Sequence, residues 1–275
     1  MKYLKWFLFI LLILIIFIII LAFSNEEIIS SDKLDREFLI DRVVFQSNLD
    51  IYDKNTVNFN EKEVNGLLAK RLVEKLNSSI SNDPEIQNIY LHLKNEKIVA
   101  KTSFKSLPVV ITMDLSINLQ NDKINFKASN FKIGKLPLPK FLFNSLGLKD
   151  INNSLYINTN DLTEIDILNI NLNKENIEIS YKTNNDEIIE KYIPSDQKKF
   201  IKEMESILEE NEVSKKLANN IIRVALLYGN NKEIPQNLIN DLKNNFIDLD
   251  NKIKANLVFI TLQYNIDYFI EILLK

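Results

Sequence analysis

Apolar and polar residues follow three different patterns along this chain, and each pattern predicts a different kind of element. The first stretch has no period. Trp6 to Phe23 are eighteen apolar residues without a charge, preceded by Lys2 and Lys5 and followed by Glu26 and Glu27. As a helix rising about 1.5 Å per residue, the run spans roughly 27 Å, close to a bilayer core. It is apolar on every face, as a lipid-facing helix must be. The rival reading, a cleaved signal peptide, expects a shorter apolar run and a small-residue cleavage site. The run ends instead in Leu21-Ala22-Phe23-Ser24-Asn25. The lysines ahead of it place the N-terminus in the cytoplasm and residues 24–275 outside. The expectation is therefore a stub at 1–5, a single-pass transmembrane anchor at 6–23 and a connector at 24–57.

A helical period begins at Asn60. Val64, Leu67, Leu68, Leu72 and Leu76 form one stripe. Asn60 is a suitable N-cap, and Glu63 three residues later completes a capping box. The turn residues Asn82-Asp83-Pro84 end the helix.

The period then changes to two. Ile89, Leu91 and Leu93 alternate with Tyr90 and His92, and Ile98, Ala100, Thr102 and Phe104 continue the pattern. Val109, Ile111, Met113, Leu115, Ile117 and Leu119 share one face of a long strand. Asn121-Asp122 is a hairpin turn, and the next strand slips phase at Asn130-Phe131, which predicts a β-bulge. Gly134 to Pro139 breaks the strand, and Lys140 to Leu146 reads as a short helix. Weaker strands follow at 154–159, 165–172 and 177–181. The short connections predict an antiparallel meander with one apolar face. Periodicity does not distinguish a covered core from an open groove on that face.

Asn184-Asn185-Asp186 reads as a turn. From Pro194 the helical period returns in three or four segments, the last starting near Asn251 and carried through Phe269. The predicted fold class is α+β. It comprises the anchor, a helix plus antiparallel curved β-sheet domain at 58–183, and an all-helical C-terminal region at 184–275.

Composition narrows the function. A net charge of −3 argues against nucleic-acid binding, which needs a concentrated basic face. The chain has no cysteine, so disulfides, thiolate metal sites and thiol nucleophiles are excluded together. Its four scattered glycines form no phosphate-cradling loop. The lone histidine, His92, sits in an alternating strand, where a satisfied or solvent-facing residue is the ordinary outcome. No spaced ligand cluster suggests zinc. The reading is a protein without enzyme activity, cofactor or bound metal. Asparagine is so frequent that individual asparagines receive little weight.

Two segments carry a resemblance. Val57-Asn58-Phe59-Asn60-Glu61-Lys62-Glu63-Val64-Asn65-Gly66-Leu67-Leu68, and later Phe131-Lys132-Ile133-Gly134-Lys135-Leu136-Pro137-Leu138-Pro139, resemble the first helix and the strand-and-turn of the YpmS-like family. Members are bacterial, with one N-terminal membrane anchor and an extracytoplasmic β-rich domain of unknown function. The family-like turn here is Gly134, Leu136, Pro137 and Pro139. The layout is also similar to AsmA-like and tubular lipid-binding domains. The resemblance implies a cell-envelope protein that holds a lipid or lipid-linked precursor in a hydrophobic groove. That groove would be lined by Leu67, Leu68, Val109, Ile111, Met113, Leu115 and Ile117. The C-terminal helices depart from the family pattern. They raise the alternative of a structural protein that docks an envelope protein partner.

Overall fold

The computed structural model describes residues 10–14, 33–46, 48–79, 86–94, 97–104, 107–138, 156–208 and 211–274. The chain divides into two units that are interleaved along the sequence rather than consecutive. One holds residues 1–35, 58–160 and 169–179; the other holds 36–57, 161–168 and 180–275. The segment read as a connector thus contributes 36–57 to the second unit. Residues 10–14 are helical, but no helix among the described residues is long and apolar enough to cross a membrane. Most of the expected anchor, the expected helix at 140–146 and Pro139 lie outside the described residues.

Short helix α1 spans Arg36–Val43 and strand β1 Asn55–Asn60. Helix α2, Glu61–Ser79, starts on the expected capping box. Asn60 Oδ1 accepts from the Glu63 amide at 3.0 Å, and Glu63 Oε2 accepts from the Asn60 amide at 2.9 Å. The antiparallel sheet runs β2 (Ile86–Lys94), β3 (Lys97–Phe104), β4 (Leu107–Gln120), β5 (Lys123–Ile133), β6 (Leu136–Pro137). β7 (Tyr156–Asn158) pairs with the start of β5. Asn121 and Asp122 both take left-handed φ, 51° and 55°, as the tight hairpin between β4 and β5 requires. The register steps from Thr112↔Lys132 to Asp114↔Ser129, leaving an extra residue in β5 beside Asn130, whose φ is 52°. This is the bulge that the phase slip predicts. Gly134 turns the chain at φ 55° into β6, where Leu136 faces Ile133 and Pro137 faces Lys132.

The outer edge of β2 is closed by side chains of α2 rather than by another strand. Asn65 accepts from the Leu91 amide at 2.7 Å and donates to the Leu91 carbonyl at 2.8 Å. Asn77 makes the same pair of bonds to Ile86, at 2.9 and 2.8 Å. Glu61 Oε2 accepts from the Leu93 amide at 2.8 Å. Each carboxamide or carboxylate supplies what a neighbouring backbone would supply, so the edge carries few unpaired groups.

Strands β8 (Ile165–Leu172) and β9 (Asn176–Thr183) complete a three-stranded sheet in the order β1-β9-β8. Six helices follow among the described residues: α3 (Asn185–Tyr192), α4 (Ser195–Leu208), α5 (Glu212–Gly229), α6 (Gln236–Ile247), α7 (Asn251–Gln263) and α8 (Asp267–Leu274). Asn184, Asn211 and Asp250 cap α3, α5 and α7 through their side chains. α5 is the centre of the second unit, with Leu217, Ile221, Val224 and Ala225 buried. On α5, Asn219 accepts from the Ile51 amide at 2.9 Å and donates to the Leu49 carbonyl at 3.3 Å, tying the 49–51 loop to the helix.

Candidate functional site

The strand face singled out in the sequence is mostly core. Ile111 is 0% exposed, Met113 2% and Leu115 6%. Ile98 and Ala100 on β3 and Phe126 and Ala128 on β5 are buried beside them. Leu67 and Leu68 are half-buried on α2, and Ile117 is half-buried where the face runs out. Val109 lies in β4, outside the residues whose side chains are described. Leu115 and Ile117 of this set line a cavity. It measures about 400 Å³ and is also bounded by Asp114, Ser116, Ser129, Ile170 and Leu172. A volume of this order suits a small ligand or one apolar chain.

His92 is held in a polar clasp at the N-terminal end of α2. Its Nδ1 lies 3.3 Å from Glu61 Oε1, which also accepts from the Tyr90 hydroxyl at 2.8 Å. Burial, then the bond and charge of Glu61, push the Tyr90 phenol up to about 12. The clasp fixes β2 on α2. Among the described residues no group of acids and histidine is placed to hold a metal.

The second polar cluster surrounds Glu164, whose side chain is fully buried. Its Oε1 accepts from Arg36 at 2.5 Å, from the Tyr192 hydroxyl at 2.9 Å and from Lys191 at 3.4 Å. Burial alone would raise this carboxyl, but its own backbone amide, Tyr192 and the Arg36 charge hold it below the usual carboxylate range. The cluster joins α1 and α3 and is a structural node.

An exposed surface of a different kind occurs on α7. The helix buries Leu257, Ile260 and Thr261 and packs on α4. On its opposite side Ala255, Val258, Phe259 and Leu262 are exposed; Phe259 is 67% exposed, Leu262 58% and Val258 44%. Their spacing is i, i+3, i+4, i+7, so they form one continuous apolar stripe along two turns. The flanks are Asn251, Lys252, Asn256 and Gln263, all exposed, and α7 contains no acidic residue. At the start of the helix, Lys254 Nζ donates to the Ile247 carbonyl at 2.6 Å, and Ile247 itself is 66% exposed.

A single helical stripe through the last segment would set Leu262 beside Leu257 and Ile260. At 100° per residue, Leu262 lies about 140° away from Leu257 and faces solvent. The detectable signal is the second set of apolar positions at heptad spacing, out of phase with the first. Comparison of the chain with family models, curated proteins and solved structures gives no match.

Proposed function

We propose that this protein is a membrane-anchored, extracytoplasmic docking protein without catalytic activity, which engages a protein partner through its C-terminal helices. The carrying observation is the α7 stripe of Ala255, Val258, Phe259 and Leu262. The helix already buries one apolar face in its own unit, and this second one stays exposed among the described residues, as an interaction surface does. Exposed aromatic and aliphatic side chains in register are the raw material of interface hot spots. The anchor rests on Trp6 to Phe23. Within it, Ile10 to Leu14 are helical and all between 41% and 57% exposed, as a lipid-facing segment would be. The resemblance to the YpmS-like family points to the same placement at the cell envelope.

A photoreactive residue replacing Phe259 in the full chain, activated in native membranes, should give one discrete protein adduct. The same residue at Lys215, exposed on α5, should give none. Leu262→Asp should abolish the adduct. Absence of any adduct at position 259 refutes the docking role.

A second reading keeps a lipid ligand, and the cavity beside Leu115 and Ile117 favours it. Its walls join aliphatic side chains to Asp114, Ser116 and Ser129, an arrangement suited to an amphiphile. Native mass spectrometry of the detergent-extracted chain should then show bound lipid that Ile117→Asp removes. A lipid-free chain refutes this reading.

A further inference from the structure

We infer that the cavity beside Leu115 and Ile117 receives an extended polypeptide segment, which adds as a strand to the open edge of β8 and sinks alternate side chains into the cavity. This site does not depend on the α7 surface, and its occupant is not the lipid considered above. Three observations carry it.

The first is the edge. In the order β1-β9-β8, strand β8 pairs on one side only. A tight turn holds it against β9, with the Asn173 amide donating to the Asn176 carbonyl at 2.9 Å. Every second residue of such a strand turns its amide and carbonyl away from its partner. Among the described residues, no hydrogen bond from outside the sheet reaches the backbone of residues 166–172. An extended backbone can satisfy this row of donors and acceptors, and a lipid cannot.

The second is the contrast with β2. That edge is closed by Asn65, Asn77 and Glu61 of α2. Strand β8 also carries asparagines, but they serve its side-chain face. Asn169 donates to Asn171 Oδ1 at 2.9 Å, and Asn171 donates to Glu178 Oε1 at 3.2 Å. The strand reads IDILNINL, without the lysine or proline that commonly guards an exposed edge.

The third is the position and lining of the cavity. Ile170 and Leu172 come from β8 itself, and they belong to the same unit as Asp114 to Ile117 and Ser129. A strand laid along residues 169–172 runs beside the cavity. Its side chains on one face recur about every 7 Å, so successive ones can enter. Main-chain bonds along an edge, with a pocket for alternate side chains, are how sheet edges recognise peptides. The lining is aliphatic at Leu115, Ile117, Ile170 and Leu172. It includes the Asp114 carboxylate, which accepts from Asn130 at 2.7 Å, and no cation to hold a phosphate headgroup. The segment it suits has apolar residues at alternate positions and no acid facing Asp114.

The test is selection from a displayed random-peptide library on the full chain in mild detergent, followed by synthesis of the enriched sequence. Enriched sequences should alternate apolar residues. N-methylation of one alternating set of peptide amides should weaken binding by at least about tenfold, because that set faces β8. N-methylation of the intervening set should leave binding unchanged. Amides within residues 169–172 should gain exchange protection when the peptide binds. Ser116→Trp fills the cavity from an exposed position, and Ile170→Lys places a charge at the edge. Each should weaken the peptide comparably while exchange protection of the β3–β4 ladder stays unchanged. Recovery of no binding sequence, binding indifferent to N-methylation, or full binding to Ser116→Trp overturns the inference. Lipid found on the chain by native mass spectrometry and not displaced by the peptide also overturns it, and assigns the cavity to lipid. The photoadduct at position 259 tests α7 separately.

Discussion

Asn65→Ala tests the closure of the sheet edge by a helix. Asn65 is 1% exposed and Leu91 0%, so the two bonds between them are sealed from water. Removing the carboxamide leaves the Leu91 amide and carbonyl without partners, and an unsatisfied buried backbone group costs about 1–3 kcal/mol. A third bond, from Asn65 Nδ2 to the Glu61 carbonyl at 2.8 Å, is also lost. Some relaxation or water entry offsets part of this, which leaves roughly 2–4 kcal/mol. Amide hydrogen exchange across the β2–β3 ladder is the appropriate readout, because it measures opening locally. At about 1.4 kcal/mol per tenfold change, the ladder should exchange about 30- to 700-fold faster. The Leu91 amide loses its own acceptor and would speed up regardless, so the neighbouring ladder amides decide the matter. Asn77→Ala removes the equivalent bonds at the part-buried end of β2 and should cost less, about 1 kcal/mol. Unchanged ladder protection in Asn65→Ala, or a larger effect from Asn77→Ala, would refute the substitution of helix side chains for a strand.

Three further outcomes are expected. Glu164→Gln should destabilise the second unit by on the order of 2–3 kcal/mol by leaving Arg36 and Lys191 without their shared carboxylate. Because the folded carboxyl sits below its ordinary value, its stabilisation is complete at neutral pH. It drains as pH falls through the ordinary carboxylate range toward the folded value, so the variant should show a shallower acid limb in stability against pH. Tyr181→Phe should cost about 1–2 kcal/mol in urea unfolding. The buried hydroxyl donates to the Val43 carbonyl at 2.6 Å and accepts from Gln46 at 2.6 Å. Gly229→Ala should lower the melting temperature despite better helix propensity, since the new Cβ would stand 2.5 Å from Pro194 Cδ.

Elements with strong periodicity are legible without coordinates. The Asn60–Glu63 box, the long β4 strand, the Asn121-Asp122 hairpin and the bulge at Asn130 each have a local cause that survives in the fold. The misses also have local causes. Asn184-Asn185-Asp186 reads as a turn, whereas Asn184 is the N-cap of α3; turn formers and helix caps are the same residue types. The last helical pattern runs on past Tyr264, but Asn265 at φ 53° ends α7 and a separate α8 begins at Asp267. A chain this rich in asparagine hides the ones that matter. Asn65, Asn77 and Asn219 close backbone groups 9 to 170 residues away along the chain, and no local pattern encodes such a partner. The same holds for Glu164 and Arg36, separated by 128 positions. Amphipathic strands identify the Ile111–Leu115 face but not its cover, because period two reports sidedness and not what lies opposite.

The interleaving of the two units constrains how the protein is made. A ribosome delivers 36–57 early, yet the loop at 49–51 gains its anchor only when Asn219 has been synthesised. Tyr181, which closes over Val43, also arrives late. The early segment must therefore wait, with Val43, Val44, Leu49 and Ile51 uncovered, through the synthesis of more than a hundred residues. Chains cut short before α5 would carry this sticky segment permanently. Premature termination should thus yield aggregation or degradation rather than a smaller working protein, and truncation is a poor tool for assigning roles to the C-terminal helices.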